Sequence, residues 1–214
     1  MSEGLRERKK RLTRRRIAEV ALGLFVERGF DQVTIAEVAD AADVSVNTVY
    51  NYFATKEDLA LPPEEASPDR LADIVRGRAP GESAAVAVLG RLRAEVRRRD
   101  RAVGLTDGFG RVLAMMLAAP TLAARLEDLS GRMVDRLAEL LAAETGAAEG
   151  DPVPRLVAGQ LGWCHSVVFG EIGRRTVAGE DPALIAEAAL SLLDAIEDLL
   201  GERVLTYAAR MEEA

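Results

Sequence analysis

The chain has 214 residues and a mass of 23.0 kDa, which is enough for one large domain or two small ones. Hydrophobic residues make up 49% and charged residues 29%, a balance typical of a folded protein rather than a disordered one. Cys164 is the single cysteine and His165 the single histidine, which excludes an intrachain disulfide, multi-cysteine zinc sites and sites that need two imidazoles. Because no run reaches about 20 apolar residues, we expect a cytoplasmic protein with no membrane partner.

Charge divides the chain into three segments. Residues 1–16 carry a net charge of +6, residues 17–60 a net charge of −6, and the remainder −7. This segregation predicts an N-terminal module over 1–60, which begins with a basic arm, and a larger acidic body over 61–214. The arm is either a solubilising tail or a phosphate-binding element, and charge alone leaves both open. If the arm binds phosphates, Arg14 and Arg16 are its candidate contacts.

Hydrophobic spacing predicts a first helix after the arm. Ile17, Ala21 and Phe25 recur on one helical face, and Gly29 indicates where the helix ends. Further along, Thr34 and Glu37 have the spacing of a capping box, in which each side chain satisfies a free backbone donor of the other residue. They predict a second, short helix that ends near residue 41.

A third helix is predicted over 46–53, with Ser45 as its cap, and a fourth begins at Thr55. Two short helices joined by a tight turn, behind a longer supporting helix, form a helix-turn-helix, whose second helix enters the major groove of DNA. On a helical wheel one arc of the third helix suits a core and the opposite arc carries hydrogen-bonding groups. The core arc contains Val46, Val49 and Phe53, and the opposite arc Asn47, Thr48, Asn51 and Tyr52.

The alternative is that Tyr50 and Tyr52 only complete a small three-helix core. Against it, three features coincide: a polar and aromatic outward arc, a cap at each helix start, and a cationic segment upstream. Together they favour DNA binding.

These motifs resemble a known family. Residues 34–39, 42–45, 48–53 and 55–59 together resemble the DNA-binding domain of the TetR/AcrR family of bacterial transcriptional regulators, over about 13–61. The resemblance implies an all-α fold, with an N-terminal three-helix helix-turn-helix domain and a larger helical domain for ligand binding and dimerisation. It also implies a homodimer on a pseudo-palindromic operator of double-stranded DNA, usually a repressor released by a small ligand. A ligand-independent or activating DNA-binding protein is the alternative.

Position by position, the resemblance assigns roles to residues of this chain. It implies that Thr34 and Lys56 contact phosphates and that Val49 and Phe53 lie in the core. It implies DNA contacts for Val46, Asn47, Thr48, Tyr50, Asn51 and Tyr52. The chain departs from the usual family residues at Val46, Asn47 and Asn51, which leaves the operator sequence open.

The body is expected to be helical throughout. Pro62-Pro63 and Ser67-Pro68 predict that the fourth helix stops near Leu61 and resumes at about 69–76. Further helices are expected near 83–100, 108–118, 121–145, 152–174 and 182–200. The resemblance implies that the last two pair across a two-fold axis. Four glycines would permit close approach there: Gly159, Gly162, Gly170 and Gly173.

Aromatic, soft and titratable residues in the middle of the body are candidates for an effector pocket, since such side chains line adaptable apolar sites. They are Phe109, Met115, Met116, Trp163, His165 and Phe169. Ordinary core packing is the alternative for each, and Cys164 is expected to be buried and inert. No nucleophile motif, phosphate-binding glycine loop or carboxylate–histidine set occurs, so we expect no catalytic residue, metal or cofactor.

Overall fold

The computed structural model of the chain describes residues 5–61 and 66–210, and every regular element in these two ranges is helical. The first five helices run over Leu5–Arg28 (α1), Ile35–Ala41 (α2), Val46–Tyr52 (α3), Glu57–Ala60 (α4) and Arg70–Arg76 (α5). The next three are Ala84–Arg97 (α6), Phe109–Ala118 (α7) and Pro120–Thr145 (α8), with a 3₁₀ turn at Arg101–Val103 before α7. The last three are Val153–Val177 (α9), Pro182–Leu199 (α10) and Glu202–Leu205 (α11). The predicted all-α fold is confirmed.

The basic N-terminal segment differs from its prediction. The structure continues α1 back to Leu5, so the basic residues from position 6 to Arg16 lie on helical turns and not on an extended arm. Arginine, lysine and leucine all have high helix propensity and nothing between Leu5 and Arg16 breaks the helix, which explains the extension. The interruption after α4 follows the prediction, because α4 ends at Ala60 and α5 begins at Arg70; Pro62 and Pro63 lie outside the described residues.

Two compact units make up the chain. The first contains α1 to α4, together with Arg111–Leu126, which comprises most of α7 and the beginning of α8. Its core is built on Ile17, Phe25 and Val49, all fully buried, and it also includes Met115 and Met116. Gly29 has a φ of +89°, which lets the chain reverse so that the Phe30 ring meets Phe25 edge-on, with 5.0 Å between ring centres. The helix-turn-helix core thus depends on a segment distant in sequence.

The second unit comprises 67–110 and 127–210. Its central element is α6, which contacts α5, α9, α10 and α11. Buried aliphatic side chains such as Leu89, Leu92, Leu161 and Leu193 fill the core that these helices share. Arg93 fastens α6 to α10, donating through Nη2 to the Asp194 carboxylate at 2.9 Å. This unit holds the two helices for which dimerisation was predicted and four of the six candidate effector residues; Met115 and Met116 lie in the first unit.

A buried arginine holds the C-terminal segment against the start of α6. The Arg78 side chain is 5% exposed and donates to the carbonyl oxygens of Val75 at 2.6 Å and Ala208 at 2.9 Å. It also donates to a carboxylate oxygen of Glu144 on α8 at 2.6 Å. Backbone bonds from Gly81 to Arg210, and back from Arg210 to Glu82, complete this clasp.

Within residues 5–61 and 66–210, no single helix is long and apolar enough to span a membrane. The consecutive helices α7 and α8 reach that length and composition only together, and the chain bends by 103° between them.

Candidate nucleic-acid interface

A capping box fixes the start of α2, as predicted. The Thr34 hydroxyl accepts a hydrogen bond from the Glu37 amide at 3.2 Å, and the Glu37 carboxylate accepts one from the Thr34 amide at 2.8 Å. Arg28 donates to the other Glu37 oxygen at 2.6 Å. The bonds from Thr34 and then from Arg28 lower the pKa of Glu37 to about 2, so the cap stays ionised. Thr34 itself is exposed, at the position where the family resemblance puts a phosphate contact.

The turn between α2 and α3 is tight. Asp43 adopts a φ of +53°, a left-handed conformation that aspartate tolerates better than most residues, and the Val44 amide donates to the Ala39 carbonyl at 2.9 Å. Ser45 then caps α3, accepting from the Thr48 amide at 3.1 Å. The predicted cap is confirmed, and it also engages the Thr48 hydroxyl, which lies 2.8 Å from Ser45 Oγ.

The two arcs of α3 differ in exposure. Val49 and Phe53 are buried at 0% and 2%, as predicted, whereas Tyr50 is 54% exposed. Val46 is 39% exposed, so its assignment to the core by the helical wheel is wrong. The first residue of a helix has no preceding turn to cover it, which leaves Val46 beside the outward arc. Asn47 and Asn51 are exposed, and Thr48 and Tyr52 are half-buried.

Two cations beside α3 stack on aromatic rings. The Arg14 guanidinium carbon lies 5.0 Å from the centre of the Phe53 ring, and Lys56 Nζ lies 4.3 Å from the centre of the Phe30 ring. Arg16 is exposed on α1. Stacking restricts where Arg14 and Lys56 can point while it leaves their charges available. The sequence analysis missed these contacts, although Phe30 directly after a helix-ending glycine was a usable signal.

Some of the acids of the N-terminal module are engaged in the fold. Glu37 is bound in the capping box, and Asp58 accepts from the Thr55 amide at 3.0 Å and from Arg125 at 2.8 Å. The net charge of −6 over 17–60 therefore overstates how negative the surface around α3 is.

The candidate effector residues fall into separate places. Met115 and Met116 are buried in the first unit. In the second unit Trp163 is 53% exposed and lines a groove with Val134 and Leu156. The remaining three candidates also lie in the second unit: Phe109 is half-buried, and the ring of His165 stacks on that of Phe169 with 4.1 Å between centres and 21° between planes.

The stacked pair belongs to a buried polar cluster that the sequence analysis did not identify. Arg70 of α5 pairs with Glu95 of α6 at 2.6 Å, and the Arg70 guanidinium carbon lies 5.7 Å from the centre of the Phe169 ring. His165 is 7% exposed. Burial, and then the charge of Arg70, lower the pKa of His165 to about 4, so the imidazole is neutral at pH 7. Burial likewise raises the pKa of the neighbouring Cys164 thiol.

No group of three His, Cys, Asp or Glu side chains converges as a metal ion requires in the part of the chain that the structure describes. The candidate functional sites are thus the exposed face of α3 and the buried polar cluster.

Comparison with known proteins agrees with this geometry. A sequence profile described as "Bacterial regulatory proteins, tetR family" matches residues 17–61, which include α2, α3 and α4. The HTH-type transcriptional regulator TcmR of Streptomyces glaucescens is 33% identical over 175 residues, which cover 80% of this chain and 74% of TcmR.

Solved structures share the fold. NalD, the secondary repressor of the MexAB-OprM multidrug efflux pump in Pseudomonas aeruginosa, superposes with a TM-score of 0.56 at 18% identity, covering 86% of this chain and 96% of NalD. SmeT, in a complex with triclosan, gives a TM-score of 0.57 at 15% identity over 95% of this chain and 99% of SmeT.

Proposed function

Since this chain belongs to the TetR family and is a DNA-binding transcriptional regulator, we propose that it is a homodimeric repressor, which a small ligand releases from a pseudo-palindromic operator. The observation that carries this proposal is the outward face of α3, where Tyr50 is 54% exposed on a helix whose start is fixed by Ser45. A capped, rigid helix with an exposed polar and aromatic face suits the major groove. Acting on chromosomal operators, the protein would work in the cytoplasm.

We assign base contacts to the exposed amides Asn47 and Asn51, because an amide can pair with both hydrogen-bonding groups on an adenine edge. Tyr50 and Tyr52 are assigned to phosphates or sugars, and Val46 and the methyl group of Thr48 to apolar contact with thymine. Thr34, Lys56, Arg14 and Arg16 would position the helix on the phosphate backbone. Residues 1–60 act in this proposal as the DNA-binding part and 61–214 as the part for effector and partner.

Exposed apolar stripes on the last two long helices support the dimer. On α9 Leu156, Trp163 and Val177 recur at multiples of seven residues and are 61%, 53% and 45% exposed. On α10 Leu184 and Leu199 are 56% and 80% exposed, on a different face from the buried residues of that helix. A second copy of the chain would cover such stripes.

The glycines of α9 divide into two pairs. Gly159 and Gly170 have open space where a side chain would stand, which suits close approach of a partner helix. Gly162 packs against Val134 of the same chain, and Gly173 is buried. These two belong to the subunit core, so the proposed interface rests on the other pair.

DNA capture tests the proposed function. Sheared genomic DNA from the source organism is incubated with the tagged full-length protein, and the retained fragments are sequenced. We expect a few enriched intergenic fragments that share an inverted repeat, whose half-sites lie about one helical turn apart or a multiple of it. Capture without sequence enrichment would overturn operator recognition.

Two variants make the capture specific to α3. The double variant Tyr50→Ala with Asn51→Ala should lose enrichment and keep the wild-type unfolding temperature, because both residues are exposed. Glu27→Gln, an exposed change on α1, is the control and should retain the same fragments. Reporter expression from a captured fragment then separates repression from activation.

A further inference from the structure

Three helices of the second unit bring charged, polar and aromatic groups together in its interior. Arg70 begins α5, Glu95 lies near the end of α6, and His165 and Phe169 lie one turn apart on α9. Glu95 and His165 are 5% and 7% exposed. We call these four residues the buried polar cluster, since buried polar groups and an aromatic ring meet there.

Two nitrogen atoms of the cluster are not satisfied by the fold. Arg70 Nε and His165 Nε2 are both buried, and neither has a hydrogen-bond partner in residues 5–61 and 66–210. Buried polar atoms in native proteins are nearly always hydrogen-bonded, so unsatisfied ones require an explanation. Arg70 Nε can only donate, and a neutral imidazole donates through one of its nitrogens. An acceptor atom held against Arg70 Nε would therefore accept its hydrogen bond. The same atom can also accept a hydrogen bond from His165 Nε2.

Charge restricts what that acceptor can be. The positive charge of Arg70 is already balanced by Glu95 at 2.6 Å, and His165 is uncharged at pH 7 because burial lowers its pKa. A carboxylate or phosphate placed here would face the Glu95 carboxylate in a site shielded from water, which is strongly unfavourable. An uncharged oxygen meets no such repulsion, and the Phe169 ring offers an apolar surface beside it.

We propose that the buried polar cluster is the effector site and that it recognises an uncharged, mainly apolar molecule by a carbonyl oxygen, which accepts hydrogen bonds from Arg70 Nε and His165 Nε2. The proposal rests on the proposed function, whose effector it assigns to a chemical class. Arg70 is also the first residue of α5 and follows the chain segment that leads from α4. Its engagement with a ligand thus acts at the covalent connection to the DNA-binding helices.

Three matched small molecules test the chemistry on the full-length protein. Benzophenone has the carbonyl oxygen, diphenylmethane has the same two rings without it, and 4-benzoylbenzoate adds a carboxylate to the ketone. Titration calorimetry should give benzophenone an affinity about tenfold higher than that of either other compound, because only benzophenone supplies the acceptor without a charge. Equal affinity for benzophenone and diphenylmethane, or no binding of benzophenone, would overturn the proposal.

Variants then locate the site. Arg70→Lys keeps the charge that pairs with Glu95 but removes Nε, and His165→Phe keeps a ring on Phe169 but removes Nε2. Each should weaken benzophenone binding about tenfold while the unliganded protein unfolds at the wild-type temperature or above it, since an unsatisfied buried group has been removed. Ser166→Ala, an exposed change next to His165, should bind as the wild type does. Benzophenone binding that both variants leave unchanged would place the ligand elsewhere and overturn the proposal.

Operator binding separates this inference from the function on which it rests. Benzophenone should lower the affinity of the wild type for a captured operator and leave that of His165→Phe unchanged, because coupling between two sites is reciprocal. If benzophenone does not change operator affinity, the cluster is not the effector site, but the proposed repressor function still stands. A protein that captures no operator overturns the proposed function whatever benzophenone does.

Discussion

The ammonium nitrogen of Lys56 lies 4.3 Å from the centre of the Phe30 ring and 5.7 Å from that of Phe25. Phe30, two residues past the end of α1, and Lys56, the residue that precedes α4, are thereby in contact. The contact holds a flexible side chain near one position without neutralising its charge, which is a useful property for a residue that binds phosphate.

Lys56→Met is expected to separate these two roles. Methionine keeps an apolar side chain against the two rings, so the free energy of unfolding should fall by only about 0.5–1 kcal/mol, the value of a partly exposed cation–π contact. Operator affinity should fall, and the slope of log K against log salt should become shallower by about 0.9, as for one lost phosphate contact. Fluorescence anisotropy with labelled operator at several salt concentrations measures the affinity and the slope. An unchanged slope would mean that Lys56 contributes to the fold alone.

The basic start of α1 allows a similar test. Arg8, Lys9 and Lys10 are exposed on helical turns, and replacing all three with Gln keeps the helix propensity while it removes three charges. If these turns lie along DNA, affinity falls and the salt slope becomes shallower by up to about 2.7. A helix that only solubilises the protein would give the wild-type slope. Circular dichroism of the free variant controls for loss of helix.

The parts that the sequence predicted correctly are local. The caps at Thr34 and Ser45, the stop at Gly29 and the burial of Val49 and Phe53 each depend on residues within a few positions of one another, so the chemistry of short segments determines them. Helix boundaries in the body followed for the same reason, since proline, glycine and acidic caps mark them. Val46 was wrongly assigned to the core because a helical wheel treats every position alike. A residue in the first turn of a helix has no preceding turn to cover it.

Features that join distant residues were not predictable in this way. Nothing near Arg125 indicates that it pairs with Asp58, and nothing near Arg70 indicates that Glu95 will be its partner. Composition marked His165 and Phe169 only because their residue types are rare here. The ion pair that completes their surroundings comes from two other helices, and a single sequence does not reveal which of many charges meet.

Arg78 is expected to be among the most important polar residues for stability. Replacing it with Met removes every side-chain bond of the clasp and leaves the Ala208 carbonyl and the Glu144 carboxylate without this donor, which should cost about 3 kcal/mol. Arg76→Met, two residues away, is the control. Its ion pair with Asp73 is exposed on both sides and should cost under about 1 kcal/mol. Urea unfolding of both variants checks the difference, and similar losses would contradict the clasp.

Leu156→Glu should weaken the proposed dimer. It places a charge on an exposed stripe that a partner would cover, and burying an unpaired charge in an interface costs about 2 kcal/mol or more, roughly thirtyfold in Kd. Val86→Glu lies on α6, which carries neither stripe, and the valine is 45% exposed, so the same charge there should leave the dimer intact. Sedimentation velocity over a range of concentrations measures the effect. A wild type that stays at 23.0 kDa at micromolar concentration contradicts the dimer itself.

Acid should reveal the buried imidazole. The folded-state pKa of His165 is about 4, below the ordinary value of 6.5, so between these pH values the unfolded chain binds a proton that the folded chain does not. Folding stability then decreases as pH falls through this window, by about 3 kcal/mol from this residue when the full window is crossed. Arg70 is the cation facing His165, and the Glu95 carboxylate lies 2.6 Å from Arg70. His165→Phe has no such proton to bind, and its free energy of unfolding should decrease less than that of the wild type between pH 7 and pH 4.5. Parallel urea titrations at the two pH values measure this difference, and equal decreases would show that His165 is accessible to solvent and not held in the buried polar cluster.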